Sequence, residues 1–308
     1  MKKLAIFLIL STSVQAEVIT DGTLGQNINL PGPDFQIGAD LGQQHGGNLF
    51  HSFQDFNLNS LESATFSGPN NVQNILSRVT GGNPSNIDGL IRSTIPNADM
   101  YFLNPNGIVF GPNARLDVQG SFHASTADYL RLGENGRFDA RYPSDSLLTV
   151  APVEAFGFLD DSSASINVTD SSLQVSPTKT LSLIGGDINL TNTQPTSYDE
   201  ASHHIFSNQL TAPSGLIIVD AKGTINLNNF GIDTSGPFGG QINIFGKKLN
   251  MNNSKISSHT VGEFDGQPTV QTSGIRKGYK VFGLIDYFTG RFFHKAIELK
   301  FNSLTYID

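Results

Sequence analysis

The hydrophobic pattern of this protein is made of short alternating runs. An apolar residue, an asparagine and a second apolar residue form a unit that recurs at Ile28–Leu30, Ile166–Val168, Ile188–Leu190, Ile225–Leu227, Ile242–Ile244 and Leu249–Met251. A period of two puts both apolar side chains on one face of a strand and the asparagine on the other. The pattern therefore predicts many short strands, each buried on one side.

Some of these units belong to a longer repeat. Residues 225–232 align with residues 249–256 at an offset of 24 positions, and Ile166 and Ile188 are 22 positions apart. Repeats of this length are typical of a solenoid, in which stacked coils share one apolar lumen. Asparagines at equivalent positions are then expected to stack in a hydrogen-bonded ladder. An antiparallel sandwich is the alternative fold, although its turn signals would recur at roughly every 8–12 residues.

Two segments differ from this repeat. The apolar residues of Asn71–Val79 fall at positions 72, 75, 76 and 79, which predicts a short helix that ends before Gly81. The segment from Glu17 to about Phe56 is rich in glycine and carries several aromatic residues near its end. Because the end of a solenoid exposes unpaired backbone and an open lumen, we expect this second segment to form a cap.

The first 16 residues have the pattern of a secretory signal peptide. Lys2 and Lys3 precede a short apolar run from Leu4 to Leu10, and small side chains occupy positions 14 and 16. This arrangement predicts cleavage before Glu17 by signal peptidase and export across the inner membrane. The apolar run is too short for a membrane-spanning helix.

Composition and charge indicate how the protein is stabilised and which partners are not expected. Charged residues make up only 15% of the 308 residues, cysteine is absent and the formal net charge is −8. An exported protein without disulfides depends on packing and strand ladders for stability. A nucleic-acid partner is not expected, because no basic face or stripe occurs in the first 260 residues.

One segment predicts a tight corner. Asn104 and Pro105 begin a turn, Asn106 and Gly107 are residues that tolerate positive φ, and Ile108 opens a strand that ends at Gly111. A corner between two coils and a recognition element for a partner are both compatible with this sequence. A phosphate-binding loop is not, since no Gly-Lys-Ser or Gly-Lys-Thr follows.

Asn104–Ile108 resembles the Asn-Pro-Asn-Gly-Ile motif of the two-partner-secretion domain, found at the N-terminus of filamentous haemagglutinins and related exoproteins of Gram-negative bacteria. Phe50–Asn57, Gly81–Gly89 and Leu181–Ile188 resemble other stretches of that domain, in the same order. The resemblance covers residues 17–262. It implies an all-β fold, a right-handed parallel β-helix with an N-terminal non-helical β cap.

The same resemblance implies a function and a partner. Members of the family are recognised by the POTRA domains of an outer-membrane β-barrel transporter of the TpsB type, pass through its pore and fold outside the cell. The resemblance thus implies a secreted or cell-surface protein of the adhesin or haemagglutinin kind, without a cofactor or metal. Contacts with a host or neighbouring cell surface would belong to regions further downstream.

Candidate catalytic groups are few. Asp160 and Asp161 are adjacent, so that a strand would point them to opposite faces, and a solvated turn is the expected setting. His203 and His204 form a pair without a carboxylate at a helpful spacing, and His45, His51 and His123 stand alone. The competing function is a β-helical polysaccharide lyase or hydrolase. It would require converging carboxylates, or a calcium site with a basic residue.

The sequence changes character toward its end. Residues 271–308 hold six basic and three acidic side chains, whereas the first 270 hold 13 basic and 24 acidic ones. Gly278–Phe288, Gly290–Phe293 and Phe301–Ser303 resemble an internal stretch of a DDE-type insertion-sequence transposase. We therefore expect residues 263–308 to be a foreign tail, added when an insertion element interrupted an exoprotein gene. A natural C-terminal cap for the solenoid is the alternative.

Overall fold

The computed structural model describes residues 17–193 and 208–259, together with the backbone of residues 269–272 and 296–301. Strands dominate these residues, and two short 3-10 turns, Ala39–Leu41 and Pro143–Asp145, accompany them. No helix among them is long and apolar enough to cross a bilayer.

The strands of the first half of the sequence are β1 (Val18–Thr20), β2 (Asp34–Ile37), β3 (Gln43–His45), β4 (Asn48–Phe56), β5 (Ser63–Phe66), β6 (Asn74–Val79), β7 (Ser85–Ile87), β8 (Leu90–Ser93), β9 (Asp99–Leu103), β10 (Ile108–Phe110), β11 (Arg115–Asp117), β12 (Phe122–Ser125), β13 (Tyr129–Leu132), β14 (Gly136–Asp139) and β15 (Val153–Gly157). Those of the second half are β16 (Ile166–Thr169), β17 (Leu173–Gln174), β18 (Thr180–Gly185), β19 (Ile188–Thr191), β20 (Gln209–Thr211), β21 (Leu216–Ala221), β22 (Thr224–Asn228), β23 (Gly231–Asp233), β24 (Gln241–Phe245), β25 (Lys248–Asn252), β26 (Ser254–His259), β27 (Thr269–Thr272) and β28 (Ala296–Phe301).

These strands form a three-sided parallel β-solenoid of about eight turns. Face 1 stacks β4, β6, β9, β12, β18, β21, β24 and β27 in parallel. Face 2 stacks β7, β10, β16, β19, β22 and β25, and face 3 consists of the sheet β2, β5, β8, β11 followed by the sheet β17, β20, β23, β26. The backbone visits faces 1, 2 and 3 in turn, which confirms the predicted parallel solenoid and excludes the sandwich.

The sequence repeat coincides with the strand register. Ile225 lies over Leu249, Ile232 lies over Ile256, and Ile166 lies over Ile188 in adjacent coils. Ile225, Leu227 and Met251 are buried in the lumen, and Leu249 packs against them as a half-buried side chain. The offsets of 24 and 22 residues are therefore the lengths of single coils.

The predicted asparagine ladder is present on the outside of face 2. The Nδ2 group of Asn189 donates to Oδ1 of Asn167 at 2.8 Å, and Asn226 and Asn250 continue the ladder with distances of 2.7 Å. Each amide donates toward the N-terminal end of the solenoid. Because only an equivalent side chain in the adjacent coil satisfies this geometry, the ladder fixes register as well as adding hydrogen bonds.

The helix predicted over Asn71–Val79 is wrong. Residues 74–79 form strand β6, which pairs in parallel with β4 on one side and β9 on the other. Ile75 and Val79 enter the lumen, while Leu76 is buried on the outer side of the strand. Burial on both sides removed the alternation that marks a strand and left apolar residues at helical spacing.

The cap is shorter than the sequence indicated. Residues 48–56 form β4, which pairs in parallel with β6, and residues 34–37 form β2, which pairs in parallel with β5. Both therefore belong to the first coil. The covering elements are β1 and β3, which pair antiparallel with the two ends of β4. They close the edge of face 1, which would otherwise be open to pairing with another protein.

An additional sheet covers the outside of face 1. Strands β14, β13 and β15 form an antiparallel sheet inserted between β12 and β16, a feature that the sequence analysis did not predict. Its Leu130 and Phe138 pack on Phe50 and Leu76, which point outward from β4 and β6. Strands β4 and β6 are thereby buried on both sides, and Leu103 of β9 belongs to the same cluster.

A buried arginine joins this sheet to the cap. The Arg78 guanidinium donates to Ser52 Oγ, to the Asp139 carbonyl and to Thr23 Oγ1 at 2.6–2.9 Å, and it lies 4.5 Å from the centre of the Phe138 ring. Burial lowers its pKa to about 10, against the opposing effects of Asp21 and Asp139. Because the guanidinium is removed from water, losing any of these contacts would leave a buried charge partly unpaired. The contacts therefore hold the solenoid, the additional sheet and the cap together.

Two histidines of face 1 lie in apolar surroundings, where His51 is buried and His123 is half-buried. His51 packs against the lumen residues Phe53 and Phe66, and the Leu41 backbone lies next to its ring. His123 stacks on Tyr101 under the additional sheet, with Nδ1 2.6 Å from Ser182 Oγ. Burial lowers the pKa of each ring to about 4, and nearby Asp40 and Asp99 oppose this only in part.

We expect replacement of Ile225 by aspartate to lower the free energy of unfolding by several kcal/mol, because it places an unpaired charge in the lumen. Chemical denaturation followed by circular dichroism measures the change. Asn226→Asp introduces the same charge one position along, on the outside of face 2, and should cost much less. Equal losses in the two variants would contradict the assignment of Ile225 to the lumen.

We also expect acid to weaken the fold. Both histidines have a lowered pKa in the folded state, so the unfolded state binds more protons between its ordinary value of 6.5 and about 4. Their contribution is complete above 6.5 and falls with decreasing pH by roughly 1.4 kcal/mol per pH unit for each ring. Urea unfolding across this range should show a shallower dependence in the double variant His51→Gln/His123→Gln. An unchanged dependence would show that other groups control acid unfolding.

Candidate functional site

The segment Asn104–Ile108 forms the corner between face 1 and face 2 in the third coil. Strand β9 ends at Leu103 and β10 begins at Ile108, so residues 104–107 make the whole connection. A turn closes it, because the Gly107 N–H donates to the Asn104 carbonyl at 3.1 Å. The predicted corner is present.

Asn104 organises this corner from inside. Its side chain is fully buried, and Nδ2 donates to the Asn83 carbonyl at 2.9 Å and to Ser85 Oγ at 3.0 Å in the preceding coil. Its Oδ1 accepts from the Asn106 backbone N–H at 2.9 Å and from Asn106 Nδ2 at 3.3 Å. One amide therefore joins two coils and holds the turn that follows it.

The rest of the corner is fixed by backbone geometry and neighbouring coils. Gly107 has φ of 120°, a value that residues with a Cβ rarely adopt. Its carbonyl accepts from the Ser85 N–H of the preceding coil, and the Ile108 N–H donates to the Ser165 carbonyl of the next. Pro105 and Ile108 are buried. The corner is thus the meeting point of three successive coils.

Burial limits what the folded corner offers to a partner. Asn104, Pro105, Gly107 and Ile108 are buried, and Asn106 is the one member that is half-exposed. Its amide is already engaged with Asn104. In the folded protein, the five residues present almost no side chain for recognition, whereas the unfolded protein presents all of them.

The other candidate residues lie apart from this corner. Asp160 and Asp161 occupy an exposed bend, as the sequence predicted, and His45 lies in β3 of the cap. His203 and His204 fall outside the described residues. Among the residues that are described, no group of three or more His, Asp or Glu side chains is placed to hold a metal ion.

One contact on face 1 has the composition of a nucleophile and a base. His123 Nδ1 lies 2.6 Å from Ser182 Oγ, on adjacent strands β12 and β18. Ser182 is fully buried, and the Tyr101 ring covers the imidazole with ring centres 4.5 Å apart. A substrate has no access to this serine in the folded protein, and the pair acts as a packing contact.

Hydrogen bonds hold one carboxylate at the cap. Asp21 is half-buried and accepts hydrogen bonds from Ser52 Oγ, Thr80 Oγ1 and Thr23. Burial raises the pKa of its carboxyl, but these hydrogen bonds outweigh that effect, and the pKa lies below its ordinary value. The carboxylate therefore stays ionised near the buried Arg78. Sequence reasoning missed both residues, since neither belongs to a recognisable motif.

Comparison with known proteins identifies the family. A family model described as "TPS secretion domain" matches residues 16–273. A heme/hemopexin-binding protein of Haemophilus influenzae strain Rd is 34% identical over 84 residues, which are 27% of this chain and 9% of that protein. A second heme/hemopexin-binding protein of the same species is 32% identical over 83 residues, 27% of this chain and 8% of that protein.

The chain therefore spans less than a tenth of the length of these relatives in the matched stretch. The family match, in contrast, extends over most of the sequence and contains the corner at Asn104–Ile108. It agrees with the parallel solenoid and its covered first coil. The chain belongs to the family of TPS secretion domains, the two-partner-secretion exoproteins.

Proposed function

We propose that residues 17–262 direct secretion of an adhesin-type exoprotein through an outer-membrane TpsB-type transporter, and that the POTRA domains of that transporter bind the exoprotein before it folds. The observation that supports this most directly is the burial of the Asn104–Ile108 corner, combined with the family match. A partner that reads these residues has access to them only in the unfolded protein.

The proposed mode of binding is strand addition. An extended segment with alternating apolar side chains can add to an exposed sheet edge of a POTRA domain through backbone hydrogen bonds. In the folded protein, β1 and β3 pair with the outer edge of β4, so that β4 is no longer available for such pairing. Absence of cysteine favours this route, since no disulfide locks the protein in the periplasm.

The corner then has a second role after translocation. Asn104 and Gly107 bond to the preceding coil, and Ile108 bonds to the next. A turn that forms locally and contacts both neighbours is suited to starting the stack, because later coils need only add to an existing edge. We propose that extracellular folding of the solenoid begins around this corner.

We propose that the protein is exported and that it is not an enzyme. The predicted leader, residues 1–16, lies outside the described residues, and cleavage before Glu17 belongs to this proposal. The heme and hemopexin binding in the names of the two relatives is not carried over, because the shared stretch is a small part of them. Surface binding by a longer parent protein would belong to its downstream region.

We expect Asn106→Ala and Gly107→Val to reduce secretion when the protein is expressed with a matched transporter. Asn106→Ala removes an amide available to the transporter and its bond to Asn104, while Gly107→Val forces a β-branched residue into φ of 120°. The measurement is the amount of protein in the medium relative to the periplasm, by immunoblot.

Matched controls separate the corner from general damage. Asn135→Ala changes the other Asn-Gly step of the sequence, and Gly25→Val changes an exposed glycine with no atom within 4 Å of an added Cβ. Both controls should be secreted at the wild-type level. Wild-type secretion of the two corner variants would contradict the proposed role of Asn104–Ile108.

We further propose that residues 263–308 are a graft from an interrupted gene. Most of this segment lies outside the described residues. The backbone of β27 pairs in parallel with β24 and the family match reaches residue 273, so the first part of the segment continues the solenoid. The backbone of β28, in contrast, pairs antiparallel with β26. A change of pairing direction is compatible with a foreign segment and also with a natural cap, so the pairing alone does not decide between them.

Limited proteolysis tests the graft. Strands taken from another fold lack their own sheet partners and should dock weakly, so that a protease trims the protein to about residue 262 and leaves a resistant core. Mass spectrometry of the core gives its C-terminus. A tail that survives as long as the solenoid would support the natural cap instead.

A further inference from the structure

The sequence contains two Asn-Gly steps, Asn106-Gly107 and Asn135-Gly136. Such a step is prone to spontaneous deamidation, because glycine offers no Cβ to hinder the approach of its nitrogen to the asparagine amide. The glycine nitrogen bonds to the asparagine Cγ to close a five-membered succinimide, and the Cγ–Nδ2 bond breaks to release ammonia. Water then opens the ring to aspartate or isoaspartate, without oxidation or reduction.

The folded structure opposes this reaction at Asn106. The Gly107 N–H, the attacking group, donates to the Asn104 carbonyl at 3.1 Å. The Asn106 side chain is held by its bond to Asn104 Oδ1 at 3.3 Å, and Gly107 is buried. Attack would require Asn106 to rotate away from Asn104 and the turn to open.

The side chain of Asn135 is in the opposite situation, although Gly136, like Gly107, is buried and lies in a paired part of the backbone. Asn135 lies at the tip of the β13–β14 hairpin, where Gly133 has φ of 58° and Leu132 pairs with Gly136. Its side chain is exposed and makes no hydrogen bond with the described residues. The amide is thus free to rotate toward the next backbone nitrogen, in water that supplies the second step.

We propose that Asn135 is a deamidation site of the folded protein, and that folding protects Asn106, so that the chemical state of Asn106 records the time that the protein has spent unfolded. The two steps share the same local sequence chemistry and differ in their environment. Folding is therefore the variable that separates their rates.

The consequence for secretion rests on the proposed function. An aspartate at position 106 accepts hydrogen bonds but cannot donate one to Asn104 Oδ1, and its charge repels that oxygen. An isoaspartate adds a backbone carbon to a corner that joins three coils. A molecule that waits too long in the periplasm would then lose the corner it needs for recognition or folding.

The test uses the purified full-length protein, incubated in neutral to mildly alkaline buffer either folded or in concentrated urea. Proteolytic digestion and mass spectrometry at successive times give the fraction of acid at each site. In the folded protein, we expect Asn106 to convert at least about tenfold more slowly than Asn135, the factor that one additional broken contact produces. In urea the two rates should become similar.

A variant tests the cause of the protection. Asn104→Ala removes the acceptor that holds the Asn106 side chain and should raise the rate at Asn106 while leaving that at Asn135 unchanged. If this variant fails to fold, the comparison of deamidation rates in the folded and the urea-unfolded wild-type protein still tests the proposal. Equal rates at the two sites in the folded protein, or an unreactive Asn135, would overturn the proposal. Neither result depends on secretion, so failure of this proposal would leave the proposed function untouched, and failure of the proposed function would leave the deamidation rates unchanged.

Discussion

Register between successive coils is the constraint on which this structure depends. Within each sheet of the solenoid, an interior strand is paired above and below by an equivalent strand. A shift of one residue in any coil would therefore turn its lumen residues to the outside. Two features prevent such a shift. The lumen accepts apolar side chains such as Ile225 and Leu227, and the outer ladder through Asn167, Asn189 and Asn226 bonds only in register.

The same constraint explains the architecture of the first coils. A stacked sheet has an edge at each end, and here β1 and β3 close the first edge of face 1. The additional sheet β13–β15 then buries the outside of β4 and β6, and Arg78 bonds to the cap, the solenoid and this sheet together. Because its buried charge is satisfied only when all three are in place, we infer that these parts become stable together.

Much of the fold follows from the sequence, for reasons that are local and periodic. The apolar–Asn–apolar units have a period of two and recur at the length of a coil, so strands, stacking and the ladder were predictable from them. The corner at Asn104–Ile108 was predictable because turn chemistry depends on a few adjacent residues. Its burial was not, since burial comes from Ser85 and Ser165 in other coils.

The errors have the opposite origin, in contacts between distant parts of the sequence. Strand β6 has the spacing of a helix because the additional sheet buries Leu76 while the lumen buries Ile75. That sheet is an insertion between β12 and β16, and no sequence repeat predicts it. The extent of the cap was overestimated for a similar reason: aromatic residues that line the first coil have the same composition as residues that cover it.

We propose that the transporter binds the exoprotein before it folds and that folding then hides the recognised residues. Binding of isolated POTRA domains, measured by fluorescence anisotropy, tests this with labelled wild-type protein and with a variant kept unfolded by charged substitutions at lumen positions such as Leu190 and Ile225. The unfolded variant should bind, and the folded wild type should bind much more weakly. Equal or tighter binding of the folded protein would contradict the claim and place recognition on its surface.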